Sequence, residues 1–132
     1  MGLFDVFKIS SGLDRGLRSR GIEPRSLPPR LLSQLGSYVN QSYSRSTFKS
    51  EGHLLGEISV AAQYAACCIL GPTAFQRAGG DETYCDIQWI AEAWKSRGPD
   101  ANLQTAIVRA VNEAGMMSAE FAKIFKSHLE ER

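Results

Sequence analysis

Residues 54–70, LLGEISVAAQYAACCIL, constrain this chain more than any other stretch. At about 100° per residue, Leu54, Ile58, Ala61, Ala62, Ala65, Cys68 and Ile69 fall on one side of a helix. Val60, Tyr64 and Cys67 make the opposite side apolar as well. Polar character is confined to Gly56, Glu57, Ser59 and Gln63. A helix that is apolar nearly all round is buried on most sides. Its alanines and Gly56 let neighbouring helices come close. A membrane span is the competing reading. The apolar run falls short of the roughly 20 residues a bilayer needs. The stretch is therefore expected to be the central core helix of a globular domain, over about 53–70, stopped by Gly71 and Pro72.

The rest of the chain is predicted to wrap this rod. Residues 29–43 carry Leu31, Leu32, Leu35, Tyr38, Val39 and Ser42 at helical spacing, with proline in the first turn. SRSTFKSEG (44–52) and GPTAFQRAGG (71–80) read as loops, with Phe75 turned inward. A further helix is expected from about Asp81, opened by a capping box of Thr83 and Asp86. Its core face is Tyr84, Ile87, Ile90, Ala91 and Trp94, and Gly98-Pro99 ends it. Asp100 is expected to cap a helix carrying Leu103, Ala106, Ile107, Ala110, Val111 and Ala114, closed by Gly115. Ser118 is expected to cap the last helix, with Phe121, Ile124, Phe125, His128 and Leu129 on its inner side. No stretch alternates with period two, so no strand is predicted. The fold class is all-α: a single-domain bundle of about five main helices around the central one.

The N-terminus reads differently. Gly12, Gly16 and Gly21 make residues 10–22 a poor helix, and Pro24, Pro28 and Pro29 keep residues 23–29 extended. The expectation is an irregular arm over 1–28 attached to a helical domain over 29–132. The whole chain of 132 residues has a net charge of only +1, so the molecule as a whole is no polyanion binder. Residues 1–30 are basic, however, with Lys8, Arg15, Arg18, Arg20, Arg25 and Arg30 against Asp5, Asp14 and Glu23. Leu3, Phe4 and Phe7 form a short apolar stripe at its start. Either the arm buries Phe4 and Phe7 in the domain surface, or it adsorbs to anionic lipid or a partner.

Chemistry-bearing groups are sparse. His53 and Glu57 share a helix face, and Glu82, Cys85 and Asp86 could approach them. No Glu-x-x-His pair or zinc spacing supports a metal site, and no cofactor is inferred. Cys67, Cys68 and Cys85 are an odd count in apolar surroundings, read as reduced thiols of a cytoplasmic protein. His53 and His128 lie far from them in sequence, and no nucleophile motif appears. No catalytic residue is assigned, and an enzyme without a recognisable motif stays an alternative. The hairpin over 100–131 resembles a helix-turn-helix, with Lys123 and Lys126 as the basic residues of a recognition helix. Residues 99–132 are net acidic, which speaks against phosphate binding; a packed helical hairpin is the plainer reading.

Trp89 stands apart. With Cys85 it falls off the core face of its helix, flanked by Glu82 and Asp86. An aromatic ringed by carboxylates suits a basic or apolar partner segment. Alternatively the arm's own arginines, Arg15, Arg18 and Arg20 among them, cover it. The leading functional expectation is a protein-protein interaction module, whose partner is another protein or a second copy of itself. No small-molecule ligand is inferred.

Overall fold

The fold was analysed in a computed structural model that describes residues 3–47 and 49–131. The side chains of Leu3 and Phe4 lie outside the described set. Among the described residues there are seven α-helices and no strand. They are α1 (Leu3–Arg18), α2 (Pro29–Arg45), α3 (Glu51–Leu70), α4 (Pro72–Arg77), α5 (Ile87–Arg97), α6 (Leu103–Glu113) and α7 (Ala119–Glu130). Short 3-10 turns occupy Pro24–Ser26 and Glu82–Cys85.

α3 is the hub. Ser50 caps it, accepting a hydrogen bond from the His53 N–H at 3.0 Å. Leu54, Ile58, Ala61, Ala62, Ala65, Ala66, Cys67 and Cys68 are all buried. α1, α2, α4, α6 and α7 all pack on it. The five expected helices are present, and α1 and α4 are added to them. α4 falls in the expected loop at 71–80; Phe75 is fully buried there, as expected.

The largest correction is at the N-terminus. The expected irregular arm is a regular helix of 16 residues, docked along α3. Its glycines mark close approach rather than disorder. A Cβ on Gly12 would sit 2.6 Å from Ile58 Cγ2, and one on Gly16 would sit 2.5 Å from Ala62 Cβ. Two helical glycines cost about 1 kcal/mol each relative to alanine. Burying Ile9, Leu13 and Leu17, which share one core with α2 and α3, contributes roughly 1.5–3 kcal/mol per side chain. Packing therefore outweighs propensity. The inward stripe is Ile9, Leu13 and Leu17, and Phe7 remains 63% exposed. The expectation that Phe7 is buried in the domain surface is corrected; Phe4's side chain lies outside the described residues.

Two helix starts also move. The segment from Asp81 does not run straight into a helix. The Asp81 carboxylate takes the Thr83 N–H at 2.9 Å, and that of Asp86 takes the Trp89 N–H at 3.1 Å. The chain thus begins twice, a 3-10 turn and then α5, in place of a Thr83–Asp86 box. For α6 the cap is Asn102, which forms a reciprocal capping box with Thr105. Asp100 instead pairs with Arg109 at 2.9 Å. Ser118 caps α7 as expected, accepting from the Phe121 N–H, and Gly115 takes positive φ after α6. α6 and α7 do not pair lengthwise: α6 lies on α2 and α3, while α7 lies on α5. The packed-hairpin expectation for residues 100–131 is corrected accordingly. Phe121 and Phe125 turn toward the core instead, where Phe125 meets Trp94 edge-on at 5.3 Å.

Candidate functional site

α5 carries two tryptophans with different surroundings. Trp94 sits against Phe125, partly buried at the edge of the core. Trp89 points outward and keeps 45% of its surface exposed. The Asp86 cap fixes its backbone. Gln88 and Glu92 share the exposed side of α5 and are joined at 3.2 Å. Beside the start of α5 lies an open depression of about 580 Å³, lined by Gln76, Glu82, Cys85, Asp86, Ile124 and His128 among others. The carboxylates of Glu82 and Asp86 are exposed at its border. His128 Nδ1 lies 3.2 Å from Glu131 Oε1. The site is therefore an exposed indole on α5 together with a shallow, acid-bordered hollow at the start of the same helix, linked through the Asp86 cap on the Trp89 N–H.

One of the two sequence readings places the arm's arginines over this face, and the structure sends Arg18 and Arg20 elsewhere. Arg18 pairs with Glu23 at 3.3 Å. Arg20 donates to Gln63 Oε1 at 2.8 Å and to the Ala78 carbonyl at 3.1 Å, with its guanidinium over the Phe75 ring. Arg20 is thus a clamp between α1, α3 and the end of α4. Arg15 is exposed on α1. The expected contact set divides into two surfaces. Trp89, Glu82 and Asp86 form one; Phe7, with Val6, forms the other, beside a groove of about 390 Å³ between α1 and α2. Ile9, Leu13, Leu32 and Gly36 line that groove. Sequence reasoning missed it, because it was not placing Ile9, Leu13 and Leu17 on a helix. Their spacing of four was the available signal.

The cysteines need a second correction. Cys67 and Cys85 are joined in a disulfide with their Cα atoms 6.2 Å apart. Cys85 is therefore neither a reduced thiol nor a free member of the Trp89 face. Cys68 is the free cysteine, and burial pushes its thiol well above the ordinary value, which leaves it unreactive. A separation of 18 residues in two helical segments carries no sequence signature for such a pair.

The other constellations separate as well. His53 Nε2 lies 3.5 Å from Glu57 Oε1, and Ser42 donates to the other Glu57 oxygen at 3.0 Å. Cys85, with Glu82 and Asp86 beside it, is tied to the far end of α3, so the expected approach to His53 does not occur. Among the described residues no cluster of three metal-ligating side chains forms. Ser42 contacts the glutamate rather than the histidine, which is not the order a serine nucleophile needs. On α7, Lys123 and Lys126 are exposed among Glu120 and Glu130.

No family model matches the chain, and no curated protein or solved structure resembles it significantly. Fold and site therefore define a class, an all-α single-domain bundle with an exposed tryptophan and an acid-bordered hollow on the same helix.

Proposed function

We propose that the protein is an interaction module that seats a partner protein segment, apolar with basic flanks, on the Trp89 face. One observation carries the reading. Of two tryptophans on one helix, Trp94 is packed against Phe125 and Trp89 is left open, its backbone N–H held by Asp86 at the border of the hollow that Glu82 also lines. Exposed indoles are favoured anchors in interfaces because they bury a large, stiff surface on association. The carboxylates select against acidic partners and speed the approach of basic ones.

The partner is another protein or a second copy of this chain, and the two are separated by solution mass. Sedimentation equilibrium that gives a concentration-dependent mass, lost in Trp89→Ala, supports self-association. Purification from the native host that yields a partner retained by the natural chain and lost with Trp89→Ala or Glu82→Lys supports a second protein. A monomer whose partners are unaffected by either substitution overturns the reading. A cytoplasmic location requires the Cys67–Cys85 bond to be open for part of the protein's life, because thiols are kept reduced there.

A further inference from the structure

The Cys67–Cys85 bond has one end enclosed in the core and the other half-buried at the core's edge. Cys67 is fully buried on α3. Cys85 is half-buried, ends the Glu82–Cys85 turn and lines the depression beside α5. The next residue is Asp86, whose carboxylate holds the Trp89 N–H. Apart from the disulfide, this short segment is held to α3 chiefly by the edge-on contact of Tyr84 with Tyr64, ring centres 5.4 Å apart. Its hydrogen bonds are local, from the Thr83 N–H to the Asp81 carboxylate and from the Tyr84 N–H to the Asp81 carbonyl. Past the cap, α5 is anchored independently by Ile87, Ile90 and Ala91 in the core. Tyr84 also packs against the core and the turn touches α4, so the disulfide is the one covalent tether of a segment that abuts the Trp89 cap.

We propose that Cys85 is a thiol–disulfide exchange site, open to a dithiol reductant of small-molecule or protein class, and that its redox state sets how the Trp89 face is presented. A reductant thiolate attacks Cys85 Sγ, since Cys85 is the half-buried partner that lines the depression and Cys67 is enclosed. The sulfur–sulfur bond breaks and Cys67 leaves as a thiolate, which takes up a proton. The second thiol of the reductant, as its thiolate, then attacks the reductant sulfur of the mixed disulfide. It closes the reductant's own disulfide and releases Cys85, which is protonated in turn. Two electrons and two protons pass to the protein, and the dithiol is oxidised. A disulfide oxidant of the same class reverses the sequence. Cys68 takes no part, because it is enclosed in the core and its thiol is held protonated. With the bond open, residues 81–86 lose their covalent tether, and the Asp86 cap over Trp89 loosens. The local link between bond and cap stands apart from the partner reading; only its biological meaning rests on Trp89 being a docking site.

The test uses the full chain without any partner, so its failure and the failure of the docking reading are distinguishable. The oxidised protein is treated with dithiothreitol under native conditions and alkylated with iodoacetamide, and the adducts are mapped by mass. Amide exchange is followed in both redox states. The proposal expects alkylation at Cys85 ahead of Cys67 and Cys68, with loss of protection at the Thr83 and Trp89 amides on reduction. Cys85→Ser is expected to show that same loss without reductant; the reduced natural chain makes the comparison independently of how well the variant folds. Three free thiols in the protein as purified and denatured without reductant, modification of Cys67 before Cys85, or Trp89 protection that is equal in both states would each overturn it.

Discussion

Gly16 and Gly56 are both helical glycines, and the same substitution acts on them in opposite directions. Gly56 is exposed on α3 with nothing within 4 Å of an added Cβ. Gly56→Ala is expected to stabilise the protein by about 0.5–1 kcal/mol. Gly16 faces Ala62, and an added Cβ would meet it at 2.5 Å. Gly16→Ala gains the same propensity but forces α1 away from α3, which costs about 1–3 kcal/mol. The net result is destabilisation, measured as opposite shifts in the urea midpoint. At the same scale, Glu120 accepts from the Thr73 N–H and the Thr73 hydroxyl, both at 2.7 Å. Those bonds hold its carboxyl below the ordinary glutamate range. A depressed folded-state pKa stabilises above the unfolded value and is lost as pH falls through the folded one. The link between α4 and α7 is therefore expected to weaken in acid, below the ordinary glutamate pKa. Glu120→Gln should lower stability at neutral pH, leave it little changed in acid, and so flatten that part of the stability-versus-pH curve.

At the scale of elements, capping decides where α6 begins. Asn102 and Thr105 exchange hydrogen bonds at 2.9 and 3.0 Å. Asn102→Ala is expected to cost about 1 kcal/mol. Asp100→Ala removes a pair in which the aspartate side chain is 78% exposed, and such pairs contribute little. A denaturant series that ranks Asp100 above Asn102 would contradict this. Helices whose apolar residues recur on one face were legible in the sequence, and α2, α3, α6 and α7 sit where periodicity puts them. Capping was less so, since Asp100 and Asn102 are both good N-caps and only tertiary contacts with Arg109 separate their roles. α1 was misread because helix propensity counts a glycine as a loss, whereas the Ile58 and Ala62 surfaces on α3 turn it into a fit. Trp89 was legible as an off-face aromatic. The split between its surface and that of Phe7 was not, because it depends on where α1 docks.

For the whole molecule, everything depends on what surrounds α3. At 20 residues it is long and apolar enough to cross a bilayer by length and composition alone, so the expectation that length rules out a span is corrected. Packing carries the argument instead. Ala61, Ala62, Ala65, Ala66, Cys67 and Cys68 have no exposed surface. Gln63 on the same helix is buried against the guanidinium of Arg20. Helices on several sides bury half of the apolar stretch of α3, and they fill the interior with small apolar side chains. Native-state amide exchange in aqueous buffer tests this most directly. The slowest amides are predicted to lie in α3 from Ala61 to Cys68 and to exchange only through global unfolding. Exchange there as fast as in the exposed turns of α7 would contradict the account.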